Sequence, residues 1–295
     1  MLDKILAFCM TIVTILGSLL GIGSNSTDYE VYSDIVYSTA SERNVLDLYI
    51  PREAYEREEN GFILFIHGGS WATGNKNDKA SDCIEAAKKG YVAATMSYTL
   101  RSGRTADSFS VDTVLDEIGL AIAKVKEFAA EKGINITKVA PSGYSAGAHL
   151  AMLYSYSRAD ESPVEIAFTA NRVGPSDFST EAWGESGPAL ARSLAGKEIV
   201  NKFTKEGRAD EIVAYVSPVT YVTKDSVPSL FGYGALDFVV PAGNRESILN
   251  AFETAGAEYD FVFYPLNGHG LKLNRITPAA KKYSAKLFEY CEKYF

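Results

Sequence analysis

The sequence predicts an α/β fold with one mainly parallel β-sheet and helices on both of its faces. Apolar segments of strand length alternate along the chain with segments of helical periodicity, which is typical of this class. Phe62–Ile66 is a five-residue apolar run without alternation, as expected of a parallel strand buried on both faces. No repeat or linker divides the chain after Asp28, so residues 28–295 are predicted to form one domain.

The individual elements follow from local patterns. Asp112–Lys132 carries apolar residues at helical spacing, and Gly133 is well placed to end that helix. The turn residues Ser41–Asn44 separate two early strands, and Gly90 ends the first helix. The other predicted strands and helices are strands Tyr29–Tyr37, Val45–Ile50, Tyr91–Tyr98, Val139–Ser142, Val164–Ala170, Ser229–Tyr233 and Asp260–Tyr264, and helices Ser81–Lys89, Ala146–Tyr156, Arg245–Ala255 and Pro278–Tyr294. The less regular residues 175–227 are predicted to be a small cap insertion over one edge of the sheet.

Composition excludes several classes of protein. With 46% hydrophobic and 22% charged residues, the chain is neither disordered nor collagen-like. With a net charge of −8 and no long basic run, the sequence has no basic segment that would attract nucleic acid. Three cysteines, Cys9, Cys83 and Cys291, cannot build a disulfide framework, although one bridge between the last two stays open. Three histidines and no Cys-x-x-C pair argue against a zinc site, and no metal or cofactor is expected.

The N-terminal residues 1–27 are predicted to be a targeting segment. Ile5–Leu20 is almost wholly apolar, and small residues follow it, which is typical of a secretory signal cleaved near Gly23. Asp3 offsets Lys4, and the apolar run is nearly long enough to span a bilayer. A retained anchor over residues 5–23 and a segment buried in the fold are therefore alternatives. Either of the first two places the body outside the cytoplasm, secreted or attached to a membrane.

A candidate nucleophile lies between a predicted strand and a predicted helix. Residues 143–147 have the sequence Gly-Tyr-Ser-Ala-Gly, which matches G-x-S-x-G in the context that gives this pattern its meaning. A sharp turn of this kind exposes the oxygen of Ser145, and bulky neighbours would clash there. The helix that follows directs free N–H groups toward the site, where they favour an anion.

A glycine-rich loop follows the buried strand at Phe62–Ile66. Residues 67–71 have the sequence His-Gly-Gly-Ser-Trp, and consecutive glycines let backbone N–H groups turn toward a substrate oxygen. Such a loop suits an oxyanion hole, with Gly68 and Gly69 completed by the N–H of Ala146. The alternative is an ordinary glycine-rich turn. His67 is predicted to hold the loop rather than act as a base.

The general base must be one of three histidines. His149 lies one helical turn after Ser145 on a helix that is apolar nearly all round, so it is predicted to be a core residue. His269 follows the strand Asp260–Tyr264 and is flanked by Gly268 and Gly270. Since Ser145 also follows a strand, His269 is expected at the same edge of the sheet and is the predicted base.

The acid is expected between Ser145 and His269 in chain order. Asp237 follows the strand Ser229–Tyr233 and therefore lies at its carboxyl end, whereas Asp260 begins a strand at the opposite end. Asp177 also follows a strand and is the rival candidate. The remaining candidates look like solvated charges: Asp160, Asp210 and Asp225. Asp237 is the predicted acid.

Four motifs together resemble the α/β-hydrolase superfamily, in particular its esterase/lipase branch of small carboxylesterases, acetyl esterases and feruloyl-esterase-like proteins. They are Leu-Asp-Leu-Tyr-Ile-Pro at 46–51, His-Gly-Gly-Ser-Trp at 67–71, Gly-Tyr-Ser-Ala-Gly-Ala-His-Leu-Ala at 143–151, and Gly-Ala-Leu-Asp-Phe-Val-Val-Pro at 234–241. The resemblance covers about residues 29–295. It implies an eight-stranded, mostly parallel sheet and serine hydrolysis of esters. It assigns Ser145, Asp237 and His269 to the catalytic triad, and Gly68, Gly69 and Ala146 to the oxyanion hole.

Two positions depart from the pattern. Ala148 stands where many relatives have a further glycine, which we expect to matter little. Pro141 lies in the strand before the nucleophile turn, where it removes a ladder donor, so a locally distorted strand is expected.

The predicted function is hydrolysis of small-molecule carboxylic esters, with short acyl or acetyl groups, through an acyl-enzyme. By family analogy alone the ester is carried by a plant polysaccharide. A small-peptide serine hydrolase and a non-catalytic binding protein with this fold are the alternatives. Four aromatic residues either line an acyl pocket or pack in the core: Trp71, Phe109, Phe178 and Trp183. Oligomeric state stays open.

Overall fold

The computed structural model describes residues 28–103, 108–271 and 278–295. The predicted targeting segment, residues 1–27 with Cys9, lies outside this part of the chain. The described strands are β1 Tyr29–Val36, β2 Val45–Pro51, β3 Asn60–Ile66, β4 Val92–Met96, β5 Ile136–Tyr144, β6 Glu165–Ile166, β7 Thr169–Arg172, β8 Ser229–Gly234 and β9 Tyr259–Tyr264. The described α-helices are α1 Ala80–Lys88, α2 Val111–Glu131, α3 Ala146–Ser157, α4 Thr180–Trp183, α5 Gly187–Lys205, α6 Ile212–Val216, α7 Ala242–Ala255 and α8 Pro278–Tyr294.

All of these strands join one sheet in the order β1-β2-β4-β3-β5-β7-β8-β9, with the short β6 also beside β5. The pairs β1–β2 and β2–β4 are antiparallel, and the other pairs are parallel. The predicted α/β fold with a mostly parallel sheet is therefore confirmed. Because β3, β5, β7, β8 and β9 run in one direction, the loops that follow them meet at one edge of the sheet.

Strand β3 shows why the sheet needs helices on both faces. Phe62, Leu64 and Ile66 pack into the core formed with α2 and α3, whereas Ile63 and Phe65 pack against α1 and α8. All five side chains are buried. Burying an apolar side chain of this size contributes about 1.5–3 kcal/mol, so the uninterrupted apolar run is stable only between two layers.

The sheet differs from the prediction on one side of β5. The predicted strand Val164–Ala170 is two strands, β6 and β7, separated by Ala167 and Phe168. The distortion expected in β5 at Pro141 is wrong, since β5 keeps its register with β3 through the pair of Leu64 and Pro141. The carbonyl of Pro141 instead accepts a hydrogen bond from Thr169 Oγ1 (2.8 Å). Pro141, which has no backbone N–H to donate, thus faces the gap between β6 and β7. The interruption lies in that neighbouring strand and not in β5.

Residues 175–227, predicted as a cap, connect β7 to β8 and contain α4, α5 and α6. Apolar side chains of α5 and α6 belong to the same buried cluster as those of α2. Gly196 interrupts α5 with φ 79° and ψ 163°, a conformation that glycine adopts readily. The segment is therefore packed onto the sheet's helical layer and bent at Gly196.

Both cysteines of the described part are free and buried, so the bridge left open between Cys83 and Cys291 does not form. Burial raises the pKa of both thiols. Across the described residues, no helix combines the length and the apolarity needed to cross a bilayer.

A buried carboxylate fastens α2 to the antiparallel edge of the sheet. Glu117 is only 5% exposed. It accepts hydrogen bonds from Asn44 Nδ2 (2.7 Å), Thr99 N (2.8 Å) and Thr99 Oγ1 (2.6 Å). These contacts connect the β1–β2 turn and the segment after β4 to one position of the helix.

Replacing Glu117 with Gln should lower the free energy of unfolding by about 2–3 kcal/mol, because the amide N–H₂ would face a buried donor. Urea denaturation followed by circular dichroism measures this change. The matched control is Glu127→Gln on the same helix, whose exposed side chain pairs with Lys124 and should shift stability by less than about 0.5 kcal/mol. Equal effects of the two substitutions would contradict the assigned role of Glu117.

Candidate active site

Ser145 lies in the turn between the end of β5 and the start of α3. Its φ of 54° and ψ of −122° are rare for a residue with a side chain. The turn is held because the Ser145 amide donates to the Arg172 carbonyl (2.9 Å) and the Ser145 carbonyl accepts from the His149 amide (3.0 Å). The strained turn directs the Ser145 side chain toward the loops at the carboxyl ends of the strands.

The two glycines of the turn are required by close backbone contacts. A Cβ at Gly143 would lie 2.2 Å from the carbonyl of Gly147, and a Cβ at Gly147 would lie 2.2 Å from the carbonyl oxygen of Ile66. Both distances are far below van der Waals contact. The first turn of α3 therefore packs directly on the ends of β3 and β5, with no space for a methyl group.

His269 joins Ser145 to Asp237 through both ring nitrogens. Its Nε2 lies 2.8 Å from Ser145 Oγ, and its Nδ1 lies 2.9 Å from Asp237 Oδ2. Since a carboxylate only accepts, Nδ1 carries the proton and the lone pair of Nε2 faces the hydroxyl. The structure thus brings together the three side chains that the sequence proposed.

Asp237 is held by its own loop. Its side chain is 4% exposed, and its Oδ1 accepts hydrogen bonds from the amides of Val239 and Val240, both at 2.9 Å. Asp237 follows β8 and His269 follows β9, which are parallel neighbours. The carboxylate and the imidazole meet because the two loops leave the same edge of the sheet.

Tyr144, which sequence reasoning did not single out, holds the histidine loop. Its hydroxyl donates to the carbonyl of His269, and the two rings are in edge contact at 5.8 Å. Burial raises the pKa of Tyr144 to about 12, so the hydroxyl keeps its proton. The only available signal was its position beside Ser145, because the contact spans 125 residues of sequence.

Partly buried charges lie beneath Tyr144. Asp82 pairs with Arg172 (2.6 Å) and with Lys79 (3.2 Å). Although burial opposes ionisation of Asp82, the two cations hold its pKa at about 2. Lys79 Nζ also lies 4.9 Å from the centre of the Tyr144 ring. This ion cluster supports the ring that holds the histidine loop.

The loop after β3 approaches the serine closely. A Cβ at Gly68 would lie 2.8 Å from the carbonyl of Tyr144 and 3.2 Å from Ser145 Cβ. Gly69, Ser70 and Trp71 follow with φ of 106°, 54° and 58°. Within the described part of the chain, the amides of Gly68, Gly69 and Ala146 donate no hydrogen bond to protein. Among the described residues, these three amides therefore have no protein acceptor.

The other two histidines are buried. His149 accepts from Trp71 Nε1 (3.1 Å) and donates to the Val216 carbonyl (2.8 Å), which confirms that it is a core residue. His67 stacks on Tyr98 at 4.2 Å, and its Nδ1 lies 2.7 Å from the Gly68 carbonyl. Burial lowers the pKa of both imidazoles to about 4. Both rings support the serine turn and the loop after β3.

The rival acids are engaged elsewhere. Asp177 accepts from the amide of Ser179 (2.9 Å) and from Ser247 Oγ (2.6 Å), and so it connects the start of α4 to α7. Asp260 pairs with Lys286 (3.3 Å) on the far side of β9. Within the described residues, no cluster of three or more His, Cys, Asp or Glu side chains is arranged to hold a metal.

The four aromatic residues are packed rather than open. Trp71 contacts Phe178 at 6.1 Å, and Phe178 stacks on Trp183 at 5.2 Å. Trp71, Phe178 and Phe109 are 5% exposed or less. Core packing is therefore the observed arrangement of these three side chains, and Trp183 is half-buried beside them.

Comparison with known proteins gives a family for this arrangement. The family model BD-FAE matches residues 46–251, a range that includes Ser145 and Asp237 but ends before His269. A probable carboxylic ester hydrolase, LipM of Mycobacterium tuberculosis, is 26% identical over 226 residues, which cover 72% of this chain and 50% of LipM. The chain thus spans half the length of this relative.

Solved structures share the fold. A carbohydrate esterase from gut microbiota, in truncated form, superposes with a TM-score of 0.71 at 20% identity, over 92% of this chain and 99% of that chain. A thermophilic esterase of the Planctomycetes species Thermogutta terrifontis, with propionate bound, superposes with a TM-score of 0.70 at 22% identity, over 90% of this chain and 94% of that chain. At these identities the likeness establishes the fold.

The neutral buried histidines predict a pH dependence of stability. The unfolded chain takes up protons on His67 and His149 below their ordinary pKa of 6.5, whereas the folded chain does so only near pH 4. Stability should therefore fall as the pH drops from 6.5 toward 4, by roughly 1.4 kcal/mol per pH unit for each histidine.

The variant His149→Gln can keep both hydrogen bonds without titrating. Its unfolding free energy, measured by urea denaturation between pH 4 and 7, should show a slope smaller by about one proton than that of the parent chain. Carboxylates titrate equally in both chains, so the difference isolates the histidine. An unchanged slope would show that His149 is not held neutral.

Proposed function

We propose that this chain, which belongs to the BD-FAE family of α/β-hydrolases, is a serine hydrolase of carboxylic esters. The observation that carries the proposal is the continuous hydrogen-bonded row of Ser145 Oγ, the His269 imidazole and the Asp237 carboxylate. A hydroxyl beside an imidazole that a buried carboxylate orients is the arrangement of an activated nucleophile.

The first half of the proposed reaction forms an acyl-enzyme. Ser145 Oγ attacks the ester carbonyl while His269 Nε2 takes its proton, and Asp237 stabilises the imidazolium that results. The oxygen of the tetrahedral intermediate accepts hydrogen bonds from the amides of Gly68 or Gly69 and Ala146. His269 then gives its proton to the departing alcohol, and Ser145 holds the acyl group.

Water completes the cycle. His269 removes a proton from water, which attacks the acyl carbonyl in the same oxyanion hole, and Ser145 regains its proton as the acid departs. Because His269 keeps its Nδ1–H bonded to Asp237, the same tautomer serves both halves. The buried carboxylate, fixed by the amides of Val239 and Val240, prevents the ring from turning over.

We propose short acyl groups as the substrate class, with acetylated carbohydrate as the natural form. The fold neighbours in support are the carbohydrate esterase from gut microbiota and the esterase that holds propionate. The side chains of Trp71, Phe109 and Phe178 are buried in the core rather than lining an acyl pocket, which also favours short chains.

The chain should hydrolyse p-nitrophenyl acetate and butyrate faster than octanoate and palmitate, and Ser145→Ala should remove this turnover. Release of p-nitrophenol gives kcat/KM for each ester, and a loss of about 10⁴-fold or more is expected because the hydroxyl forms the acyl-enzyme. The matched control is Ser186→Ala, an exposed serine with no side-chain cap bond, which should keep parent activity.

Turnover that Ser145→Ala leaves intact would contradict the serine mechanism. Activity only on short peptide p-nitroanilides, lost in Ser145→Ala, would favour the small-peptide hydrolase. No turnover of either substrate class would favour a binding protein that keeps the fold.

We further propose that the chain works outside the cytoplasm, exported or anchored by residues 5–23. The support is the apolar run Ile5–Leu20 and the small residues that follow it. When the full chain is expressed in a bacterium, we expect its esterase activity on the extracytoplasmic side of the inner membrane. N-terminal sequencing of that material should start near Ser24 if the segment is cleaved and at Met1 if it is retained. Full-length chain confined to the cytosol would overturn the proposal.

A further inference from the structure

A cleft with basic walls opens between the segment after β4 and helix α5. Its volume is about 590 Å³. We call it the Arg101 cleft, and its walls include Arg101, Phe109, Arg192, Ser193, Val200 and Asn201. None of the described residues in its walls is an aspartate or a glutamate. In a chain with a net charge of −8, such a site is locally positive against the background.

Arg101 carries hydrogen-bonding capacity that the protein does not use. Its Nη1 donates to the exposed hydroxyl of Ser193 (2.8 Å), while its Nε is buried without an acceptor. In the described part of the chain, neither Arg101 nor Arg192 forms an ion pair with a carboxylate. A buried donor without an acceptor is unfavourable, and two unpaired guanidinium groups in one cleft repel each other. An anion between them removes both penalties.

The bend of α5 adds to the positive potential. Gly196 lies in the cleft wall and breaks the helix, so a new helical segment begins at residue 197. Val200 and Asn201, in the first turns of this segment, also line the cleft. The free N–H groups of a helix start favour negative charge, and this start lies in the wall that the two arginines also line.

The cleft is connected to the loop that lies beside Ser145. The backbone amide of Arg101 donates to the Trp71 carbonyl (2.7 Å), at the end of the loop that carries Gly68 and Gly69. Gly68 is in turn within contact distance of Ser145. One backbone hydrogen bond therefore joins the wall of the cleft to the loop beside Ser145.

We propose that the Arg101 cleft is a subsite for an anionic group, carboxylate or phosphate, carried by the ester substrate at its non-reacting end. This inference rests on the proposed ester hydrolysis at Ser145. The guanidinium groups of Arg101 and Arg192 bind the anion, and Asn201 and Ser193 supply neutral polar contacts. The preferred esters are therefore acidic, as in an acylated sugar acid.

The test compares charged and uncharged esters of equal length. O-Acetyl esters of ω-hydroxy acids place a carboxylate on the alcohol side at a distance from the ester that grows with chain length, and acetates of n-alcohols of the same chain length are their uncharged partners. The ratio of kcat/KM between charged and uncharged esters should rise with length. Arg101→Gln should lower that ratio by about tenfold or more, and Arg192→Gln by less, while uncharged esters change by less than twofold.

The matched control is Lys202→Gln, which removes one positive charge from an exposed position of α5 outside the cleft. It should leave the ratio unchanged. If Arg101→Gln and Lys202→Gln lower the ratio equally, the preference for charged esters comes from long-range charge, and the subsite is overturned. A ratio unaffected by either arginine would also overturn it.

Direct binding separates this inference from the proposed function. In the Ser145→Ala background, calorimetry with suberate and with inorganic phosphate should detect binding that Arg101→Gln weakens by about tenfold. Suberate alone would identify carboxylates as the ligand class, and phosphate alone would identify phosphate esters. Binding lost in Arg101→Gln from a chain that hydrolyses no ester would uphold the subsite and reject the hydrolase. Binding of neither anion would reject the subsite, whatever the result of the ester assay.

Discussion

The contact of α3 with the ends of β3 and β5, where no side chain intervenes, is the constraint on which the site depends. Gly147 sits against the Ile66 carbonyl, and Gly143 sits against Gly147. Only this approach lets the chain turn from strand to helix within one residue, which fixes the left-handed conformation of Ser145. The same approach places the start of α3 beside the loop of Gly68 and Gly69. The proposed nucleophile and the proposed oxyanion donors are thus positioned by the same close packing.

The three histidines of the described site differ in their electrostatic surroundings. His67 and His149 are buried and held neutral, so they act as rigid polar supports. His269 has a hydroxyl at one nitrogen and a carboxylate at the other, and its loop is held through Tyr144. His269 is thus the imidazole whose Nε2 faces a hydroxyl while a carboxylate holds its Nδ1–H, and burial keeps the other two imidazoles neutral.

Much of the fold was predictable because parallel strands and amphipathic helices leave strong local patterns. The run Phe62–Ile66 and the spacing in Asp112–Lys132 correspond to β3 and α2. The split of Val164–Ala170 was not predictable, since it lies beside Pro141 of the neighbouring strand β5, whose carbonyl accepts from Thr169 Oγ1. The candidate site could be predicted because the order of the motifs and their places at strand ends leave few residues for each catalytic role. The sequence could not predict the role of Tyr144, the ion cluster beneath it or the Arg101 cleft. These features arise from tertiary contacts that leave no local pattern in the sequence.

The triad also links chemistry to the order in which the chain assembles. The hydrogen bond between His269 and Ser145 joins residues 124 positions apart, and it crosses the sheet from β5 to the loop after β9. Contacts of such long range form late in folding, because the loop they close must first lose its conformational freedom. The reacting row is therefore a signature of the finished sheet. A partly folded chain, with its apolar strands formed but its last strand unpaired, would contain the nucleophile turn without the base that activates it. The proposed hydrolytic activity therefore requires the completed native state.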